Sequence, residues 1–304
     1  MVRRKLGRTE LSVMPLCFGG NVFGWTADER TSFAVLDAYV DGGGNFIDTA
    51  DVYGVGESES IVGRWMNARK NRGQIVLATK VGSRMGLDKQ GLSRQYILEE
   101  VEASLKRLQT DYIDLYQAHR DDLNTPLDET MGAFNELVRQ GKVRYLGASN
   151  YNAARLREAL RVSDRHGYAR YECLQPLYNL VKRAEYEGEL EALCLEQGLG
   201  VITYSSLASG FLSGKYREGK AMPFSLRAKN VHDRYMNEQG FRVLEQVDRV
   251  AAAHSATVAQ VALAWILTGP GITAAIVSAT SVEQLRELLG AVQLSLSKED
   301  LESF

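Results

Sequence analysis

Cysteine is scarce in this chain of 304 residues, and the three that occur, Cys17, Cys173 and Cys194, are odd in number and widely spaced. That excludes a disulfide framework or a structural zinc site and leaves buried core thiols in a reducing cytoplasm. No Lys/Arg block occurs and the formal net charge is -2, so the concentrated basic face that nucleic acid demands is missing. Long apolar runs are missing too. The longest, Val258 to Leu267, is interrupted by Gln260 and stops at Thr268-Gly269-Pro270. It is too short to span a bilayer and reads as a buried helix. The basic start, Met1-Val2-Arg3-Arg4-Lys5, leads into no apolar stretch, so a secretory signal is not expected. No low-complexity linker divides the chain, which predicts one domain over residues 1–304 with neither nucleic acid nor membrane as partner.

What is present is ordinary globular composition, 45% apolar and 24% charged, and a unit that recurs. A short apolar run stops at a polar residue, and an amphipathic helical pattern follows. The runs are Pro15 to Phe18, Asn45 to Ile47, Ile75 to Ala78, Tyr112 to Ala118, Val143 to Leu146, Tyr171 to Leu174, Gly200 to Thr203 and Ala274 to Val277. Each has strand length and β-branched or aromatic content. The spacing predicts helices over Asp28–Tyr39, Ser93–Leu108, Leu127–Gln140, Asn152–Arg165, Glu185–Gln197, Gly240–His254, Thr257–Leu267 and Val282–Val292. Strand and helix alternating eight times, with strands apolar throughout, predicts an α/β fold, a (β/α)8 TIM barrel. A doubly wound open sheet would need a glycine-rich turn after an early strand, whereas Gly42-Gly43-Gly44 precedes one. Lys5 to Val13 reads as an N-terminal β-hairpin closing the barrel bottom.

In such barrels the chemistry gathers at the carboxyl ends of the strands. Those positions hold Asn21, Asp48, Lys80, His119, Asn150, Gln175, Tyr204 and Thr280. Strands leaving a core naturally meet polar loops, which accounts for any one of them. It does not account for an Asp, a Lys and a His on three successive strands. Tyr53 lies five residues beyond Asp48. A phenol titrating near 10 is a poor proton donor at neutrality. A lysine ammonium beside it is expected to lower that value, and about 3 units corresponds to roughly 4 kcal/mol. Asp48 would hold the lysine charged in a desolvated mouth, and a neutral His119 would orient a carbonyl oxygen. The set is a proton-relay site for a carbonyl, with no nucleophile–base pair and no metal cage.

Motifs along almost the whole chain point the same way. They are Gly43-Gly44-Asn45-Phe46-Ile47-Asp48-Thr49-Ala50-Asp51-Val52-Tyr53-Gly54, Thr79-Lys80 and Asp114-Leu115-Tyr116-Gln117-Ala118-His119-Arg120. Further on come Gly147-Ala148-Ser149-Asn150, Leu174-Gln175-Pro176-Leu177-Tyr178-Asn179, Tyr204 to Gly210, and Gly214-Lys215-Tyr216. Together they resemble an aldo-keto reductase. The resemblance implies a catalytic set of Asp48, Tyr53, Lys80 and His119. It implies a nicotinamide cofactor, NADP(H) in preference to NAD(H), held at the mouth by Gly20, Asn21 and Asp48. Ser149, Asn150 and Gln175 would bond the nicotinamide amide, with Tyr204 stacked on the ring. Ser205, Leu207, Ser209, Gly210, Lys215 and Arg227 would line the pyrophosphate and ribose-phosphate tract, and Thr280, Gln284 and Glu287 the adenosine end. Two departures from the family pattern stand out. Ser206 replaces a frequent proline, and the adenosine segment Ser278-Ala279-Thr280 carries no cation, with Leu288 where an asparagine is common.

Phe23 and Trp25, on the loop after the first strand, read as walls of an apolar substrate pocket, beside Tyr53 and His119. For Asp51, Arg120 and Asp122, a substrate role and plain loop charge both remain open. His166, His232 and His254 read as surface residues, and Trp65 and Trp265 as core. The segment from Gly210 to Glu238, with its several cations, reads as a loop folding over an anionic cofactor. The expected activity is reversible reduction of aldehydes and ketones to alcohols. The alternative is a cofactor-binding regulatory subunit with little turnover. The substrate, the direction and the oligomeric state are not legible, and a monomer is compatible with all of this.

Overall fold

The computed structural model describes residues 3–87 and 89–304. Among the described residues ten strands occur, and eight of them close a barrel. These are β3 (Leu16–Gly19), β4 (Phe46–Asp48), β5 (Val76–Val81), β6 (Ile113–Ala118), β7 (Val143–Ser149), β8 (Tyr171–Gln175), β9 (Gly200–Thr203) and β10 (Ile272–Val277). Each pairs in parallel with its chain neighbours, and β10 pairs with both β9 and β3. All eight apolar runs are strands, and the fold is the (β/α)8 barrel expected. The hairpin is present as β1 (Arg4–Lys5) and β2 (Ser12–Val13), antiparallel.

Period-two alternation builds the interior. The lower inward layer is Cys17, Phe46, Ala78, Leu115, Cys173, Ile202 and Ala274, sealed from below by Leu6, Leu11 and Val13 of the hairpin. Two residues further along β4, β5, β6 and β8 the inward positions are Asp48, Lys80, Gln117 and Gln175. A polar layer therefore sits directly on an apolar one. Gly147 occupies the matching position on β7, where a Cβ would lie 2.9 Å from Gln117 Cγ. The missing side chain makes room for Gln117.

The helices are α1 (Glu29–Asp41), α2 (Glu57–Arg69), α3 (Arg94–Leu108), α4 (Leu127–Arg139), α5 (Ala153–His166), α6 (Glu189–Gln197), α7 (Ala228–Tyr235), α8 (Glu238–His254), α9 (Val258–Thr268), α10 (Val282–Leu289) and α11 (Lys298–Glu302). Side chains close the orphan amides where the sequence suggests. Asp28 accepts from Thr31, Ser93 from Tyr96 and Asn152 from Arg155, and Thr257 forms a capping box with Gln260. Several spans differ from the pattern reading: α2 and α11 lie outside the expected helices, and the helix expected to run to Val292 ends at Leu289. The helix expected from Glu185 starts at Glu189, because Gly188 at φ 95 breaks the chain direction. The segment expected as one long loop contains α7, whose Val231 and Tyr235 are buried, with Tyr235 stacked on Phe211. Trp65 and Trp265 are core residues, and all three cysteines are buried and free. No single helix among the described residues is long and apolar enough to cross a membrane.

Candidate active site

The polar layer opens onto the carboxyl end of the barrel. Lys80 Nζ lies 2.6 Å from Asp48 Oδ2, 2.8 Å from the Thr49 carbonyl and 3.2 Å from the Tyr53 hydroxyl. Lys80 is fully buried and Asp48 is 2% exposed. The second Asp48 oxygen accepts from Gln117 Nε2 at 3.0 Å and from Gln175 Nε2 at 2.9 Å. A desolvated ion pair is tolerable only when its remaining lone pairs are met, and here they are. Tyr53 stands on the turn after β4, half-buried, with its ring edge-to-face against His119 at 5.8 Å between centroids. Asp48, Lys80 and His119, expected at the ends of three strands, thus lie together with Tyr53.

Its electrostatics follow from burial. Desolvation disfavours the Lys80 ammonium, yet Asp48 and Tyr53 outweigh it and hold the lysine above its ordinary value. His119 is driven well below its usual value by burial and then by Lys80 and Arg120, so its imidazole is neutral at physiological pH. Nδ1 of His119 is buried without a partner among the described residues. For Tyr53 the expected direction is corrected. Burial pushes the phenol up, and although Lys80 pulls it down, the Asp48 charge offsets part of that pull. Tyr53 accordingly keeps its proton at neutral pH.

Around this centre runs a chain of hydrogen bonds. Ser149 Oγ donates to the Gln175 carbonyl at 2.8 Å, Asn150 Nδ2 to the His119 carbonyl at 2.9 Å, and the Tyr204 hydroxyl to Asn150 Oδ1 at 2.8 Å. Asn150, at φ 57, is thereby fixed in a left-handed turn. Ser149, Asn150, Gln175 and Tyr204 form one contiguous wall. The Gln175 amide nitrogen, however, is committed to Asp48 and Gln117, which leaves only its carbonyl oxygen for a ligand.

Beyond β9 the backbone enters left-handed conformations at Ser205, Ala208, Ser209 and Gly210. Such a run forms a concavity suited to an anion. A Cβ on Gly210 would sit 3.9 Å from Lys215 Nζ, so that ammonium hangs over the same turn. Among the described residues neither Lys215 nor Arg227 pairs with a carboxylate, whereas Arg217 is taken by Asp248 at 2.9 Å. An anionic phosphate tract fits this cradle. Leu207 packs partly into the core beside it. On the opposite rim Ser278 Oγ donates to the Gly19 carbonyl at 2.7 Å and lies 2.6 Å from Asn21 Oδ1, with Gly20 buried beside it. The Thr280 amide donates to Gln284 at 2.9 Å, and Thr280, Gln284 and Glu287 are exposed. Leu288 is 2% exposed, so core packing accounts for an apolar residue there.

A model described as the Aldo/keto reductase family matches residues 15–304. The chain belongs to that family. Its members are oxidoreductases that generally use NAD(P)H. An uncharacterized oxidoreductase of Bacillus subtilis (strain 168) is 38% identical, covering 97% of this chain and 92% of its own length. Probable voltage-gated potassium channel beta subunits of Arabidopsis thaliana and Oryza sativa subsp. japonica are 35% and 36% identical over the same shares.

One predicted pocket wall is wrong. Phe23 is fully buried and stacks on Phe18 at 5.4 Å, because the turn that carries it folds inward while Trp25, two residues on, stays 51% exposed at the mouth. Arg227 lies over the Trp25 ring at 5.4 Å, so the loop after Gly214 does reach across the mouth. Phe23→Ala is therefore expected to act on stability, by about 3 kcal/mol in chemical denaturation. A substrate effect without destabilisation would restore it to the pocket. Asp51, Arg120 and Asp122 do not cluster. Asp51 is buried, Arg120 is exposed, and Asp122 caps its own turn through Leu92, Asn124 and Thr125. His254, bonded to Asp300 at 2.8 Å, is partly buried. Gln117 was not anticipated, although it stands two residues before His119 and so shares the inward face.

Proposed function

We propose that this family member reduces aldehydes and ketones to alcohols, reversibly, with residues 1–304 acting as one domain. The observation that carries the reading is the Tyr53 hydroxyl 3.2 Å from an ammonium that is itself locked on buried Asp48. Bound at the mouth, the reduced nicotinamide supplies the hydride. Tyr53, protonated at neutral pH, gives its proton to the carbonyl oxygen. Lys80 stabilises the phenolate left behind, and Asp48, held by Gln117 and Gln175, keeps Lys80 charged and aimed. Neutral His119 donates to the carbonyl oxygen and fixes its direction. Ser149, Asn150 and Gln175 would hold the amide of the nicotinamide, Tyr204 would lie against its ring, and the turn from Ser205 to Gly210 with Lys215 and Arg227 would take the phosphates. Trp25 walls the substrate side.

The test is cofactor oxidation across a panel of aldehydes, ketones and sugars, with NADPH and NADH in parallel. Turnover on small aromatic or aliphatic aldehydes is expected. The likeness to channel beta subunits supports a second reading, a cofactor-binding regulatory subunit. Tight cofactor binding with no turnover on any member of the panel would favour it.

NADPH is expected to bind better than NADH, by a modest margin. The 2′-phosphate carries close to two negative charges and needs cations or donors. Thr280 offers a hydroxyl and the start of α10 its amides, while Leu288 is spent on the core. Thr280→Arg should tighten NADPH by about 1–2 kcal/mol and leave NADH nearly unchanged, the size of one charge-assisted bond. Fluorescence titration decides this, and stronger binding of NADH by the wild type would show the phosphate site misplaced.

A further inference from the structure

Behind the turn that carries Tyr53, between β5 and the helices α2 and α3, lies a buried group of charges outside the set of Asp48, Tyr53, Lys80 and His119. Glu59 of α2 and Glu100 of α3 are buried and share the guanidinium of Arg107, which donates to Glu59 at 2.6 Å and also pairs with Glu100. Thr79, next to Lys80 on β5, donates its hydroxyl to Glu59 at 2.6 Å. Asp51 faces the same interior and is 0% exposed. Its amide reaches the Lys80 carbonyl at 3.3 Å, and its Oδ1 accepts from the Val52 amide at 2.6 Å. Its Oδ2 is buried with no partner among the described residues, as are the hydroxyls of Tyr96 on α3 and Tyr116 on β6.

Three carboxyls thus face one guanidinium, and two of them use its donors. An ionised Asp51 would leave a buried oxygen uncompensated beside two other carboxylates, which is costly. A proton on that oxygen removes the charge, and with it the larger part of that cost. We propose that Asp51 is a positioning residue that works as a neutral acid, holding the turn from Asp48 to Tyr53 without placing negative charge near Lys80 and Tyr53. Its ionisation adds such a charge and makes the Tyr53 phenol a weaker acid. The groups facing it are Glu59, Glu100, Arg107, Tyr96 and Tyr116, with Tyr53 on the catalytic side. Burial first, then Glu59 and Glu100, raise the Asp51 carboxyl to about 8, within reach of an ordinary pH series.

The effect on turnover rests on the reductase reading above, whereas the protonation of Asp51 does not. The test compares the wild type with Asp51→Asn, which mimics the neutral acid. Should that variant not fold, Asp51→Ser, smaller and uncharged, serves the same comparison. In infrared difference spectra a carboxylic C=O band that the substitution removes is expected at about pH 6 and lost by about pH 9.5. Phenolate absorbance, each protein minus its Tyr53→Phe counterpart, should show Tyr53 ionising at lower pH once Asp51 is replaced. With benzaldehyde and NADPH, wild-type kcat should fall about 3-fold or more between about pH 7 and 9, and that of Asp51→Asn should not. Stability gives an independent arm. A carboxyl whose native value is raised binds its proton in the native state when the unfolded chain has lost it. Wild-type stability should therefore fall as pH rises from about 4 to about 8, more steeply than that of the variant. A missing band at about pH 6, or a Tyr53 titration indifferent to the substitution, overturns the proposal. If neither protein reduces benzaldehyde while the infrared and phenolate arms behave as expected, the reductase reading fails and the neutral Asp51 stands.

Discussion

Tyr53→Phe is expected to lower carbonyl reduction by about 10²-fold or more while cofactor binding stays near normal. The substitution removes one oxygen and leaves the ring in place against His119 at 5.8 Å. The half-buried ring keeps its packing, so stability should change little. What is lost is the only hydroxyl, among the described residues, within bonding distance of Lys80. No neighbour substitutes for it as an acid. His119 is held neutral by burial and two nearby cations, and Lys80 is held charged by Asp48 and Tyr53. The loss should therefore appear in kcat, with an unchanged fluorescence titration by NADPH. Turnover near the wild-type rate would sink the assignment of Tyr53.

Much of this was legible in the sequence because a parallel barrel is built on short periods. Eight apolar runs ending in polar residues give the strands, and alternation along each strand places Asp48, Lys80 and Gln175 on the inside without knowledge of any contact. The reading stops where long-range contact decides. Phe23 and Trp25 are both aromatic on one turn with no periodicity to separate them, and it is packing in the core, on Phe18 among others, that holds the first inward. In α7, Tyr235 stacks on Phe211 from the preceding turn, and the helix has too few apolar positions of its own to declare itself. The Tyr53 proton affinity depends on a balance between burial, Lys80 and Asp48, and a sequence supplies the charges without the burial. The group of Asp51, Glu59, Glu100 and Arg107 joins residues from a turn and two helices, and nothing in their spacing announces it.

Lys80→Met is expected to cost about 3–5 kcal/mol in stability as well as most of the activity. Methionine fills similar volume, so the loss is not chiefly a cavity. It strands the Asp48 carboxylate, 2% exposed, with only the amides of Gln117 and Gln175 to answer it. If that account is right, the damage resides in the unpaired charge. The double variant Asp48→Asn with Lys80→Met should then recover a large part of the stability and none of the activity. The pH window follows from the direction of the lysine's shift. Its native value is raised, so its contribution is complete below the ordinary value near 10.4 and is lost only as pH climbs beyond that through the native value. Denaturation at neutral pH therefore reads the whole effect. Equal stability of single and double variants would show that packing around the Lys80 stem, and not its charge, holds this part of the barrel together.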